Sequence, residues 1–278
     1  MFNRLIVNTM SVFRFKRFDV MNEHSAMKVN TDGVLLGALM TIKSQDKTLL
    51  DIGTGTGTIA LMAAQRLTDM RCSGSNSSVS ERSITLCSCG VSHAGIASES
   101  EIAIHAIDID APSATEAAAN FRNSPWGSIL HAHNASLDEF ADQNNDSFDL
   151  IFSNPPYFDN ALQAPEERRN AARHTSTGLS YREILEFAAA RLTGSGRVAM
   201  VLPADTEHDL TRHARMNGLH LCRITRVRTV PRKFPVRIIA EFSRVRTEAP
   251  EDIILTIQSE GQYTQEYLSL TKDFYLFA

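Results

Sequence analysis

The segment from residue 48 to residue 67 constrains the fold more than any other part of the sequence. Residues 48–52 (TLLDI) form a short apolar run, which predicts a buried parallel strand, and residues 58–67 (TIALMAAQRL) carry apolar side chains at helical spacing. Alternating glycines join the two, and glycine there permits a tight turn and a close approach of a ligand to the backbone. We therefore predict a ligand site where the strand becomes the helix, at Gly53, Gly55 and Gly57.

Strand-like and helix-like segments continue to alternate along the chain. Further strands are predicted over 102–109, 148–153 and 196–202, and helices over 112–121 and 181–192. Two late strands follow, over 219–230 and 238–245. This order predicts an α/β fold of the Rossmann-like type, with a mostly parallel sheet, helices on both faces and an antiparallel C-terminal strand pair.

One segment interrupts the alternation. Residues 71–100 are rich in serine and poor in large apolar side chains, so we predict a flexible insertion in a single domain that spans 1–278. The insertion carries Cys72, Cys87, Cys89 and His93. Its Cys-x-Cys spacing differs from the Cys-x-x-Cys spacing of zinc sites, and we predict no metal.

Charge is unevenly distributed in a chain whose net charge is -4. Residues 210–240 contain no acid, and the N-terminal residues are also basic before the first acid at Asp19. Two such stretches can form a phosphate-binding face, and solvated surface charge explains them equally well. The candidate nucleic-acid contacts in them are Arg14, Lys16, Arg17, Arg226, Arg228, Arg232 and Lys233.

The chain also lacks the signals of export and membrane insertion. No run approaches the roughly 18 apolar residues that a membrane span needs. The N-terminus is too basic, and its apolar pattern too broken, for a secretory signal. We therefore expect a cytoplasmic monomer with no membrane association.

An acid is expected at the end of the second strand, where it can accept hydrogen bonds from both hydroxyls of a ribose. Asp108 meets this requirement, with Asp110 as the second candidate. The dinucleotide pattern G-x-G-x-x-G fails, because Thr58 occupies the place of the third glycine. Alternating glycines after an acid, here Asp51, are instead typical of the cofactor loop of class I methyltransferases. On the glycines alone, a structural turn or another nucleotide site remains open.

The most informative motif is Asn154-Pro155-Pro156-Tyr157, directly after a hydrophobic strand. An amine attached to a base or an amide is a poor nucleophile, because its lone pair is delocalised. The Asn154 side-chain oxygen and the Pro155 carbonyl can each accept one of its N–H bonds and aim the lone pair at an activated methyl group. The two prolines restrict the backbone, and Tyr157 offers a ring for stacking on an extruded base. These four residues are the predicted catalytic site.

Several segments together resemble the bacterial tRNA1(Val) (adenine-37-N6)-methyltransferase family, within the class I S-adenosylmethionine-dependent methyltransferases. They are FRFKRF at 13–18, MKVNTDGVLLG at 27–37, NSPW at 123–126, NPPY, ARHT at 172–175 and YLSLTKDFYL at 267–276. The resemblance implies methyl transfer from S-adenosylmethionine to the N6 amine of an adenine beside the anticodon of a valine tRNA. It also implies that basic residues, Arg173 included, hold the anticodon stem-loop by its phosphates.

The same resemblance assigns further cofactor contacts. Residues 13–47 would form a cofactor-covering segment, in which Lys28, Thr31, Asp32 and Gly33 lie over the cofactor. Where the family usually has an acid for the cofactor's adenine, this chain has Ser136, whose hydroxyl pairs more weakly than a carboxylate.

Three other functions are compatible with parts of the pattern. A protein glutamine N5-methyltransferase uses the same motif on a carboxamide, but such enzymes usually carry a long helical N-terminal domain, and only about 45 residues precede the first predicted strand here. An RNA-binding module that has lost catalysis would fit the serine at position 136. A nicotinamide-dependent dehydrogenase is disfavoured by the glycine spacing.

Overall fold

A computed structural model describes residues 11–25, 27–74, 102–156 and 179–277. Tyr157, Arg173 and residues 75–100 of the predicted insertion lie outside these ranges. Within them, no helix combines the length and the apolar content that crossing a bilayer requires.

An eight-stranded sheet in the order β10-β8-β9-β7-β6-β3-β4-β5 forms the centre of the fold. Every neighbouring pair in it is parallel except the two pairs that β9 makes, with β7 and with β8. Two short antiparallel hairpins, β1–β2 and β11–β12, lie apart from it. The strands are β1 (Val12–Arg14), β2 (Asp19–Met21), β3 (Thr48–Ile52), β4 (Ala103–Asp108), β5 (Leu130–Asn134), β6 (Phe148–Ser153), β7 (Leu192–Pro203), β8 (His220–Arg228), β9 (Arg237–Ser243), β10 (Glu251–Thr256), β11 (Gln258–Ser259) and β12 (Gln262–Tyr263).

Helices cover both faces of the sheet and bury one apolar cluster on each. One cluster joins α1, α2 and the N-terminal hairpin to the sheet, and the other joins α5 and α6 to it. The helices are α1 (Thr31–Leu39), α2 (Thr58–Gly74), α3 (Ala111–Arg122), α4 (Leu137–Gln143), α5 (Tyr181–Arg191), α6 (Glu207–Met216) and α7 (Gln265–Thr271), with a 3₁₀ turn at Ala204–Thr206.

The predicted α/β architecture is confirmed, including the antiparallel pairing of the late strands β8 and β9. Helix α2 continues to Gly74, so the first four residues of the predicted insertion are helical. Two edge strands were not predicted: β5, whose sequence LHAHN places polar histidines inside the strand, and β10, which extends the sheet beside β8. Edge strands lack the continuous apolar run that marks a strand buried on both faces.

Candidate active site

The glycine turn connects β3 to α2 in a conformation that requires glycine. Gly53, Gly55 and Gly57 have φ values of 72°, 57° and 81°, which other residues rarely adopt. A Cβ atom on Gly57 would lie 2.5 Å from Phe121 Cε1, so helix α3 packs directly against the turn. Among the described residues, a Cβ on Gly53 would meet only Leu179 Cδ2, at 3.8 Å, so none of them packs closely against this part of the turn.

Asp108 joins the end of β4 to the glycine turn. Its Oδ2 accepts from Gly55 N at 2.8 Å and its Oδ1 accepts from Asp110 N at 2.9 Å. Burial raises the pKa of Asp108, and these two N–H donors partly oppose that effect. Asp110, by contrast, caps α3 by accepting from Ser113 N at 3.0 Å. Of the two predicted ribose acids, Asp108 is therefore the one beside the turn.

Asp51 lies beneath the glycine turn and is fully buried. Its Oδ2 accepts from the Thr54 hydroxyl at 2.7 Å, while its Oδ1 has no hydrogen-bond partner in the described part of the chain. Burial raises the pKa of Asp51 to about 7, the Thr54 hydroxyl and the Ala60 backbone N–H oppose that effect, and the nearby Asp108 adds to the rise. A buried carboxylate oxygen without a partner is costly, and a positive charge bound at the adjoining glycine turn would offset part of that cost.

Asn154 follows β6 at the same edge of the sheet and is 5% exposed. The preceding Ser153 donates from its hydroxyl to Ile52 O at 2.7 Å, which fixes the end of β6 against the end of β3. The Asn154 amide nitrogen lies 3.5 Å from Met27 Sδ. Pro155 is also buried, whereas Pro156 is exposed. The structure thus brings the first two residues of the predicted catalytic motif beside the glycine turn.

A clamp of polar side chains on α3 holds the N-terminal segment over the glycine turn. The Glu116 carboxylate accepts from the backbone N–H groups of Glu23 and His24 at 2.7 and 3.0 Å through Oε1, and from Ser25 N at 2.9 Å through Oε2. Asn120 accepts from Met21 N and donates to Thr56 O, both at 2.8 Å. Neither side chain was predicted, although a glutamate and an asparagine one helical turn apart in an alanine-rich helix (EAAAN) indicate a polar stripe.

The remaining predicted residues of the covering segment are bonded within it or to the sheet. Lys28 Nζ donates to Asn22 O and Glu23 O at 2.6 and 2.8 Å. Asp32 pairs with Arg237 at 2.8 Å, and Thr31 begins α1. Gly33 N donates to the N-cap Asn30 at 2.8 Å. These contacts make Lys28 and Asp32 supports of the segment that crosses the site.

Ser136 caps the start of helix α4, with Glu139 as its partner. Its hydroxyl accepts from Glu139 N at 3.2 Å, and the Glu139 carboxylate accepts from Ser136 N at 2.8 Å. This reciprocal pair is a capping box at the start of α4, and its S-x-x-E spacing is visible in the sequence.

Most basic candidates for nucleic-acid contact are bonded within the protein. Lys16 donates to Lys272 O, and Arg17 binds Asp69 while lying over the Trp126 ring. Arg226 pairs with Glu207 and Asp252, and Arg228 donates to Thr256 Oγ1 and Pro231 O. Arg14 is exposed and lies opposite Asp19 in the first hairpin. Within the described ranges, Arg232 and Lys233 are exposed and pair with no carboxylate.

An exposed apolar side chain, Ile109, also lies at this edge of the sheet. Ile109, directly after Asp108, is 77% exposed, although the strand predicted over 102–109 included it, because the observed strand ends at Asp108. Among the residues that the structure describes, no group of three or more His, Cys, Asp and Glu side chains is arranged to hold a metal ion.

Comparison with known proteins identifies a family over most of the chain. Residues 38–230 match the family described as UPF0020, the RMKL-like methyltransferase domain. Curated relatives described as tRNA1(Val) (adenine(37)-N6)-methyltransferases match almost the full length. The protein from Bacteroides fragilis is 36% identical over 95% of this chain and 97% of its own. That from Haemophilus influenzae is 33% identical over 96% of this chain and 99% of its own.

Solved structures show the same fold at low sequence identity. A protein from Agrobacterium tumefaciens described as a predicted O-methyltransferase has a TM-score of 0.55 at 15% identity, over 87% of this chain and 96% of its own. A methyltransferase from Pyrococcus furiosus has a TM-score of 0.50 at 18% identity, over 81% of this chain and 89% of its own. Both are similar to this chain in architecture.

Proposed function

The chain belongs to the tRNA1(Val) (adenine(37)-N6)-methyltransferase family, and we propose that it methylates the exocyclic N6 amine of adenine 37 in the anticodon loop of a valine tRNA. It is an S-adenosylmethionine-dependent methyltransferase of class I fold. The observation that carries the site assignment is the position of Asn154 and Pro155 beside the glycine turn, at the end of β6. We further propose that the protein works as a monomer in the cytoplasm, where tRNA is modified.

The residues of the turn suit S-adenosylmethionine, which when bound supplies a methyl group activated by a sulfonium charge. Asp51 Oδ1 is a buried acceptor without a partner in the described chain, which suits the cationic amino-acid end of the cofactor. Asp108 would accept from the ribose hydroxyls, because each of its oxygens retains capacity beyond the one backbone N–H it binds. The exposed Ile109 would give the cofactor's adenine an apolar face.

Asn154 and Pro155 perform the substrate side of the reaction. The Asn154 amide nitrogen faces Met27, and we assign Oδ1 as the acceptor for one N–H of the adenine amine. The Pro155 carbonyl accepts the other N–H, on a backbone that the following proline restrains. Together they would reduce conjugation of the nitrogen lone pair with the ring and so make the amine a better nucleophile towards the methyl group that the cofactor supplies. Pro156 and Tyr157 would hold the extruded base, Tyr157 by stacking.

The substrate assignment is tested by incubating the protein with labelled S-adenosylmethionine and total RNA that lacks base methylation, followed by digestion to nucleosides. We expect the label in N6-methyladenosine and, when valine tRNA is isolated before digestion, in that tRNA. Label in another nucleoside would contradict the adenine assignment. Label in a glutamine of a translation factor, supplied in a parallel reaction, would identify the protein-modifying alternative.

The raised pKa of Asp51 predicts that cofactor affinity depends on pH. The cationic cofactor should bind the ionised form of Asp51. Below pH 7 most Asp51 side chains carry a proton, and this proton must be lost when the cofactor binds. The dissociation constant should therefore be about tenfold higher at pH 6 than at pH 8. Isothermal titration of S-adenosylmethionine against the protein measures this change.

The matched control is the variant Asp51→Asn, which keeps the shape and removes the titration. The cofactor's own amino group titrates near pH 8, and both proteins share that contribution. The difference between the two pH profiles therefore isolates Asp51. Parallel profiles would contradict contact between Asp51 and the cationic end of the cofactor.

A further inference from the structure

The loop between β8 and β9, residues 229–236 (TVPRKFPV), has an ordered backbone and projecting side chains. Thr229 O accepts from Gln258 N at 2.8 Å, and Val230 O accepts from Lys233 N at 3.0 Å. Val236 N donates to Val227 O at 2.9 Å. Prolines at 231 and 235 restrict it further, so a ligand would meet a shape that is already formed.

The topology places this loop at the edge of the sheet that carries Asn154. Strand β8 and strand β7 both pair antiparallel with β9, so β8 runs parallel to β7 and β6 and ends at the same edge as β6. Val236 O accepts from Ala204 N at 3.2 Å, just after β7. The next residue, Arg237, pairs with Asp32 in the first turn of α1, within the segment that crosses the site.

Phe234, in this loop, is 90% exposed, more than any other large hydrophobic residue of the described chain. Single exposed apolar residues are common and need no function. This ring, however, directly follows Arg232 and Lys233, which pair with no described carboxylate, whereas Arg226 and Arg237 on the adjoining strands are ion-paired. The loop therefore combines an accessible aromatic ring with uncompensated positive charge.

We propose that residues 229–236 form an RNA-contacting loop, in which Phe234 stacks on an unpaired base and Arg232 and Lys233 bind the flanking phosphates. The proposal rests on the proposed function, because it places the loop beside the base that is methylated. Unpaired RNA offers what the loop can bind, since bases stack on aromatic rings and phosphates attract basic side chains. A folded protein partner would instead require a broader apolar surface around the ring.

The first test measures steady-state kinetics of Phe234→Ala with an unmodified valine tRNA. We expect KM for the tRNA to rise about tenfold, as for loss of one stacked base, with kcat and the dissociation constant of S-adenosylmethionine little changed. Phe234→Trp should restore wild-type KM, since it keeps the stacking surface. The matched control is Val245→Ala, because Val245 is 60% exposed and lies just beyond the end of β9, at the opposite edge of the sheet.

The second test measures binding of a labelled anticodon stem-loop RNA by fluorescence anisotropy over a series of salt concentrations. The double variant R232A/K233A should weaken binding and reduce the slope of log affinity against log salt by about 1 to 2, while Arg246→Ala at the opposite edge should leave it unchanged. This assay needs no methyl transfer, so it separates the two proposals. Failure of transfer with loop-dependent RNA binding would overturn only the proposed function. Wild-type binding by both loop variants, or no RNA binding by the wild-type protein, would overturn the role of the loop.

Discussion

Replacing Asn154 with alanine should lower the rate of methyl transfer about a thousandfold and leave the affinity for S-adenosylmethionine nearly unchanged. The side chain is 5% exposed at the end of β6, and its assigned partner is the substrate amine. Removing it deletes one of the two acceptors that orient the nitrogen lone pair, and this orientation matters only on the way to the transition state. Single-turnover kinetics with saturating tRNA and titration of the cofactor measure the two quantities separately.

The variant Asn154→Asp is the informative control. It keeps an acceptor oxygen at the same place, replaces the amide nitrogen that faces Met27 with a second oxygen and introduces a carboxyl group. We expect it to retain clearly more activity than Asn154→Ala. Equal activity of the two variants would refute the acceptor role, and loss of cofactor binding with activity in Asn154→Ala would show that the residue mainly supports the glycine turn.

Local sequence was enough to predict where the glycine turn and Asn154 lie in the fold. The glycine turn follows from residues whose positive φ values only glycine adopts readily, and it lies within one contiguous segment. Asn154 was identifiable because its motif directly follows a mostly apolar strand, FDLIFS. In both cases the chemistry and the structural context are neighbours in the sequence.

The parts that were not predicted depend on partners far apart in the chain. Arg226 belongs to a basic stretch in the sequence, but its guanidinium pairs with Glu207 and Asp252, which reach it through the packing of α6 and β10. The same holds for Glu116, whose three N–H partners lie more than 90 residues earlier. Charge counted along the sequence therefore overestimates the charge available to RNA, because carboxylates from other elements already neutralise Arg226.

Replacing Glu116 is the second change with a large expected effect, and it should lower both the stability of the fold and the affinity for the cofactor. Replacing it with alanine removes the acceptor of three backbone N–H groups at a position where the side chain is 3% exposed. Leaving several such donors without a partner should lower the free energy of unfolding by about 3 kcal/mol. Residues 23–25 adjoin the glycine turn, because a Cβ added to Gly55 would lie 3.3 Å from Ser25 Oγ. Release of these residues should therefore lower the affinity for S-adenosylmethionine as well. Urea denaturation and cofactor titration measure these two changes.

The pH dependence of the stability difference between wild type and Glu116→Ala tests the same interaction. Burial opposes ionisation of Glu116, but the three N–H donors outweigh it and hold the pKa of the carboxyl below its ordinary value. A carboxylate with a lowered pKa stabilises the folded state above the ordinary pKa and loses that contribution as the pH falls through the folded value. The stability difference between wild type and Glu116→Ala should therefore be full at pH 7 and shrink below about pH 4.

Two variants serve as controls. The free energy of unfolding of Glu116→Gln, which keeps one acceptor oxygen, should lie between those of wild type and Glu116→Ala. That of Glu248→Ala, at an exposed position, should match wild type throughout. Equal stability and equal cofactor affinity of Glu116→Ala and wild type at pH 7 would refute the clamp, because the segment over the glycine turn would then be held without this carboxylate.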